Sequence, residues 1–255
     1  MLQLTSPGFT LSGALIDSDL PVQVISGHYC ANVPADVYAC DHLEETLPPA
    51  QALGRRYLVA PPTGPEGGPI AYAVAFQGNQ DDTHLFYPGG KPKGAPETLA
   101  AGESSFIANV NQKFEVLATH ELGLLLFLQG GEKAQSGTTD PSQSIAVPLQ
   151  QYRRRYVFLA ANDYLVNYAD VIAPSGAEVR LDGKPVTVER DQFSCTSYEV
   201  LRIWLDQSGD GIHVLEASAP VSVQVLGHAS YTSYQYPGGL NFSEISEAPP
   251  HPTVK

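Results

Sequence analysis

The sequence repeats itself, and the repeat restricts the folds open to it. QALGRRYLVA at 51–60 recurs as LQQYRRRYVF at 149–158, and the Arg-Arg-Tyr core moves by 99 positions, from Arg55 to Arg154. Each copy closes on a similar apolar stretch, VLATHELGLLLFLQGG at 116–131 and VLEASAPVSVQVLG at 214–227, near the same displacement. Between these marks DDTHLFYPGGKP echoes AEVRLDGKPV. A related stretch, IDSDLPVQVISGH at 16–28, opens the chain, and it and the last copy both end in Gly-His, Gly27-His28 and Gly227-His228. An offset shared by several segments marks a duplicated unit rather than strands that look alike by chance.

The repeated segments read as strands. Val221, Val223 and Val225 alternate with Ser222 and Gln224, and Val22 and Val24 with Pro21 and Gln23, the period-two pattern of a half-buried strand. YEVLRIWL (198–205) and YAVAF (72–76) are rich in β-branched and aromatic residues, which suit a pleated surface. Turn signals separate such runs at Pro88-Gly89-Gly90, Pro174-Ser175-Gly176, Asp182-Gly183 and Gly209-Asp210-Gly211. The expected fold is therefore all-β: two tandem β-sandwich-like units related by internal duplication. We place the first unit at 1–118, the second at 119–240, and a disordered Pro-rich tail or linker at 241–255. The first and last strands are expected to complete each other's sheets, which would remove an open edge. One helix is expected, over DHLEETL at 41–47. Asp41 would cap it with Glu44 three residues on, and Pro48-Pro49 would stop it.

Charge narrows the partners. The net charge is −13, which argues against a phosphate backbone, since that needs clustered Lys and Arg. The one basic cluster, Arg153, Arg154 and Arg155, is short and reads as a solvated strand edge. No run of eighteen apolar residues exists to span a membrane as a helix. The N-terminus lacks a basic region followed by an apolar stretch, so the chain reads as cytosolic or as a mature fragment with its leader upstream. The sequence contains no G-x-S-x-G, no H-E-x-x-H, no Walker loop and no dinucleotide glycine fingerprint. We therefore expect no enzyme and no cofactor.

Three stretches carry a family likeness: PVQVISGHYCANVP (21–34) followed by CDHLEETLPP (40–49), DPSQSIAVPLQQYRRRYVF (140–158), and HVLEASAPVSVQVLGHASYTSYQYPGG (213–239). With these the chain resembles the IgGFc-binding protein N-terminal domain family, in its bacterial type, over residues 10–240. In animals such domains occur in large, secreted, mucus-associated proteins, and similar ones occur in bacterial surface or secreted proteins. The resemblance implies a secreted or cell-surface binding and adhesion module that recognises protein or glycan. The family name implies the Fc part of immunoglobulin G, but the family defines no Fc-contact residues that can be placed on this sequence. Two other readings stand beside it: a metal-binding or Cys/His-dependent enzyme centred on residues 28–42, and a structural spacer of a larger extracellular protein.

Cys30 and Cys40 form the first candidate site, with His28 two residues before and His42 two residues after. In an oxidising compartment a disulfide would close the loop ANVPADVYA and contribute about 3 kcal/mol. His28, Cys30, Cys40 and His42 would also supply four nitrogen and sulfur ligands to zinc, in H-x-C and C-x-H spacing. A nucleophilic Cys40 at the start of the expected helix is a third reading, and two free thiols a fourth. His28 matches His228, which has no cysteine nearby, so the histidine belongs to the repeat and the cysteine-bounded loop is peculiar to the first copy. We therefore read the stretch as a disulfide-tied surface loop.

Cys195 stands alone and reads as a small buried hydrophobe, or as a partner for another chain. In DQSGDGIH (206–213), Asp206, Ser208, Asp210 and Gly211 imitate positions one, three, five and six of a calcium loop. Ala217 stands where position twelve needs glutamate, so the stretch reads as a hairpin turn. Asn241-Phe242-Ser243 matches a glycosylation acceptor. Tyr231, Tyr234 and Tyr236, with Tyr29 and Tyr38, are the candidate binding surface, able to stack on sugar or pack on protein. The alternative for the first three is a strand end packing its rings on the core.

Overall fold

Apolar residues at alternate positions give each strand one face to bury, and this chain satisfies them with two sandwich-like units. The computed structural model describes residues 1–8, 10–131, 139–207, 209–247 and 249. The first unit holds β3 (Gly54–Val59), β4 (Tyr72–Gly78), β5 (Thr83–Phe86), β6 (Thr98–Leu99), β7 (Ser104–Val110), β8 (Phe114–Leu128) and β9 (Ser142–Ile145). The long strand β8 organises it. Its beginning pairs with β3 and β5, and its end, from Leu122 to Leu128, pairs with β4 and β9. β6 extends one side beyond β5 and β7 the other beyond β4. The seven-stranded sheet thus curls into two layers, with Tyr57, Val59, Tyr72, Val74, Phe76, Leu122 and Leu124 between them.

The second unit repeats this plan. It holds β10 (Arg153–Leu159), β11 (Val166–Pro174), β12 (Val179–Leu181), β13 (Lys184–Pro185), β14 (Arg190–Gln192), β15 (Tyr198–Leu205), β16 (Ile212–Ala229) and β17 (Thr232–Pro237). Here β16 is the shared strand, paired with β10 and β12 at its beginning and with β11 and β17 at its end. Tyr156, Phe158, Val171, Leu201, Val223 and Val225 fill its interior. The 99-residue displacement holds on both sides of the ladder: Tyr57 pairs with Val116 and Tyr156 with Leu215. Each first strand follows a 3₁₀ turn, Ala50–Ala52 or Leu149–Gln151, begun after Pro49 or Pro148.

The corner of each long strand is pinned by a tyrosine. Tyr57 Oη donates to the Leu122 carbonyl at 2.6 Å and accepts from Gly54 N at 3.1 Å. Tyr156 Oη donates to the Val221 carbonyl and accepts from Arg153 N at 3.0 Å. Every partner is displaced by 99 positions. Burial holds both phenols protonated, with Tyr156 pushed up to about 12 and Tyr57 higher still.

Side chains on the other face of each strand join the units. Leu58, Ile145 and Val147 of the first meet Tyr152, Ile172, Phe193, Val200 and Leu240 of the second. A polar knot lies beside them. Asp170 accepts from Thr63 N at 2.8 Å and from the Thr63 hydroxyl. Arg202 donates to the Pro61 carbonyl at 2.8 Å and lies 3.4 Å from Asp170. His228 bridges the Thr63 carbonyl at 2.8 Å and the Thr139 hydroxyl at 3.1 Å. Burial raises the Asp170 carboxyl against the pull of Arg202.

Several expectations are corrected. The division placed between 118 and 119 falls inside β8, and β9 still belongs to the first unit. Residues 25–46 form a separate two-stranded sheet, β1 (Ile25–Ala31) with β2 (Asp41–Thr46). The first strand therefore does not complete a sheet with the last: β17 folds back on its own neighbour β16 through a tight turn, with Tyr231 at φ 53°. The expected helix at 41–47 is strand β2, because pairing with β1 and burial of Leu43 outweigh the local capping pattern. Part of the expected tail is held down. Ile245 N and Ser246 N donate to the Gln51 carbonyl, and the Gln151 side chain bonds Ser243. Residues 248 and 250–255 of that tail lie outside the described residues.

The tyrosine pins give a direct test. Tyr57→Phe and Tyr156→Phe each remove a hydroxyl that serves one buried carbonyl and one amide. Each is expected to cost about 1–3 kcal/mol, read as a lowered denaturation midpoint in urea.

Candidate functional site

The cysteine stretch folds as a hairpin tied at its mouth. Cys30 and Cys40 form a disulfide, with Cα atoms 5.0 Å apart. The sulfurs are bonded to each other, so neither can be a zinc ligand or a nucleophile. Ile25 pairs with Thr46 and His28 with Leu43, and the register shifts between His28 and Ala31, beside the disulfide. Among the described residues, no three His, Cys, Asp or Glu side chains gather as a metal site requires.

The loop has an inner and an outer side. Val33, Leu43 and Ala31 press on Ala73, Ala108 and Phe127, which face outward from the first unit. Gly130 N donates to the Val33 carbonyl at 2.8 Å. A Cβ on Gly130 would meet Val37 Cγ1 at 3.1 Å and the Ala39 carbonyl at 3.2 Å, so any larger residue would push the loop outward by a few tenths of an ångström. The outer side carries Tyr29 and Tyr38, 85% and 73% exposed. Tyr29 stacks on His28 with ring centroids 4.9 Å apart, and His28 Nδ1 accepts from Cys30 N at 3.1 Å. His42 lies 3.3 Å from Glu44 on the exposed side of β2. His28 and His228 are thus not equivalent: one is open to solvent, the other buried in the polar knot between the units.

The other tyrosines divide. Tyr236 Oη donates to the Leu159 carbonyl and accepts from Leu159 N at 3.0 Å, and Tyr234 Oη accepts from Ala161 N at 3.2 Å. Both rings pack against the core of the second unit, so they close the β10 edge rather than present a platform. Tyr231 alone projects, from the β16–β17 turn. Cys195 is exposed, not buried, near the glycine turn at Gly89. Of the calcium-like stretch, Ser208 lies outside the described residues, and Asp210 accepts from Ile212 N at 3.1 Å, as a turn residue does. Asn241 is exposed.

The seam between hairpin and body holds two acids that sequence reasoning missed, Glu45 half-buried and Asp140 buried. Glu45, on β2, bonds to Ser144 and the Ile145 amide on β9. Asp140 lies just before β9, near Asp41 of β2. Burial raises each carboxyl to about 6, and the neighbouring Glu44 or Asp41 adds to the effect. Isolated acids flanking strand segments carry no recognisable signal until β2 and β9 are seen side by side.

These features define a class of all-β domains that carry a disulfide hairpin. The profile of the family described as IgGFc binding protein matches residues 1–227, and the chain belongs to that family. It is also similar to the IgGFc-binding protein of Homo sapiens, 26% identical over 234 residues, covering 88% of this chain and 4% of that protein. The chain thus spans a small fraction of the relative's length. These matches support the family and not a bacterial type within it. No solved structure matches the chain. Among the described residues no helix is long and apolar enough to cross a membrane.

Because both seam carboxyls are raised by folding, the folded chain binds protons that the unfolded chain has released between pH ~4 and ~6. Stability from these groups therefore falls as pH rises through that window. Glu45→Gln with Asp140→Asn is expected to raise the melting temperature at pH 7.5 and to leave it nearly unchanged at pH 4, measured by calorimetry beside the parent chain.

Proposed function

We propose that this chain is an extracellular binding module that recognises protein or glycan through the crest of the disulfide hairpin. The observation that carries the reading is the exposure of Tyr29 and Tyr38 on either side of the Cys30–Cys40 bond. Large aromatic rings on a backbone already fixed lose little freedom on binding, which is why tyrosine dominates many contact surfaces. A disulfide persists in an oxidising compartment, in keeping with a secreted or surface protein. The family is described by binding rather than by a reaction, and the human relative's name makes immunoglobulin Fc the first ligand to try. Tyr231, at the far unit, is a second point of contact only if the ligand spans both.

The test is binding of the whole chain to immobilised Fc and to a mucin glycan array. Tyr29→Ala with Tyr38→Ala should weaken the tightest interaction at least tenfold, about 1.4 kcal/mol, and Tyr231→Ala should matter less. Unchanged affinity without Tyr29 and Tyr38 would move the site off the hairpin. Silence on both supports would defeat the module reading for these ligand classes.

A further inference from the structure

The first unit docks on the second through a definite surface, and the second unit presents the corresponding surface to solvent. On β3, Leu58 points away from its own core and is 2% exposed, sealed against the second unit. Ala60 follows it into the same cluster. Just before the adjoining strand β8, Lys113 pairs with Asp191 and lies over the Phe193 ring at 5.9 Å. Glu115, opposite Leu58, takes Arg56 at 2.6 Å.

Displaced by 99 positions, these four residues become Val157, Leu159, Ile212 and Val214. Val157 pairs directly with Val214 and Leu159 with Ile212, so the four form a block on two neighbouring strands. Val157, Leu159 and Ile212 are 55%, 54% and 55% exposed. The second copy has replaced Lys113 and Glu115 by Ile212 and Val214. That makes the surface more apolar where solvent alone would favour charge, and contiguous exposed apolar surface marks contact sites.

The occupant can be argued from three observations. Extension of the sheet beyond β10 is opposed at Leu159, where the Tyr236 hydroxyl already holds both the amide and the carbonyl; this favours contact face to face. Head-to-tail stacking of whole chains is also blocked, because the corresponding outward face of the first unit lies under the β1–β2 hairpin. A patch that cannot stack heterologously can still pair with itself across a twofold axis. Finally, the block has oppositely charged ends. Arg155 and Arg180 flank Glu216 at one end, where Glu216 takes Arg155 at 3.4 Å and one positive charge stays in excess. Asp210 lies beyond Ile212 at the other, with Asp163 on the adjoining loop, where Asn162 bonds Gly209. A twofold that runs the strands antiparallel sets the basic end of one copy against the acidic end of the other.

We propose that the outer face of β10 and β16 is a self-association surface, and that a second copy of this chain covers Val157, Leu159, Ile212 and Val214. This is independent of ligand binding at the hairpin, which lies on the other unit. The test is sedimentation equilibrium of the whole chain at physiological salt. The expected result is a concentration-dependent doubling of the 27.3 kDa mass. Ile212→Lys, which restores the twin residue, and Leu159→Lys should each weaken association at least tenfold. Trp204→Lys, at another exposed apolar site, should leave it intact. Hydrogen exchange of the unaltered chain provides a second reading: amides of 155–159 and 212–216 should gain protection as concentration rises. A chain monomeric at every concentration overturns the proposal and leaves the face to a different partner. A dimer indifferent to both lysines, with no added protection on these strands, overturns it too.

Discussion

A tyrosine hydroxyl at a strand corner is the interaction on which each unit depends. A strand that leaves one layer of a sandwich for the other must bend, and at the bend its carbonyl loses the ladder partner that a straight strand keeps. A buried carbonyl without a partner is costly. Tyr57 reaches Leu122 and Tyr156 reaches Val221 at these bends, and each also accepts the amide three residues before it. The long strands can then belong to both layers, and each core closes around them. That all four partners share one displacement shows that the device was duplicated whole.

The outward faces follow from the same layering. Each unit has a sheet face that its own core does not use. In the second unit, the face bearing Asp170, Ile172, Val200 and Arg202 is covered by the first unit. In the first unit, the face bearing Ala73, Ala108 and Phe127 is covered by the disulfide hairpin. The hairpin thus acts as an end cap, a role that stacked repeats commonly need. Its disulfide holds a short two-stranded element that would be marginal alone, and the cap carries the exposed aromatic crest. Structural and binding roles meet on one element because its inner side is apolar and its outer side is not constrained by packing.

Much of this was legible in the sequence, through features that survive without a partner. Period-two alternation around Val221–Val225 and the Arg-Arg-Tyr displacement established strands and duplication, because both are local patterns that folding leaves in place. Cys30 and Cys40 were legible as a pair because they bound a long loop, peculiar to the first copy, that a disulfide would tie down. What failed depended on the third dimension. DHLEETL has a helix signature, but a strand is bound beside it. Tyr234 and Tyr236 fit a platform or a packed strand end equally by pattern, and only the β10 edge that takes the Tyr236 hydroxyl separates the two. Val22 and Val24 alternate as a strand does, yet the paired strand begins only at Ile25. The knot of Thr63, Asp170, Arg202 and His228 is spread across the chain. Its faint signal was a lone acid in YADVIA and a lone base in LRIWL, charges at strand positions that neighbouring apolar residues would bury.

The central claim is that the disulfide hairpin is a cap on the first unit, while the second unit is held by its own tyrosine pin and by the polar knot. Hydrogen exchange before and after selective reduction of Cys30–Cys40 tests it most directly. The account predicts lost protection in residues 25–46 and faster exchange in the segments beneath, around 73–77 and 104–108, while β11, β15 and β16 keep theirs. Unchanged protection of the hairpin after reduction, or equal loss across the second unit, would contradict it.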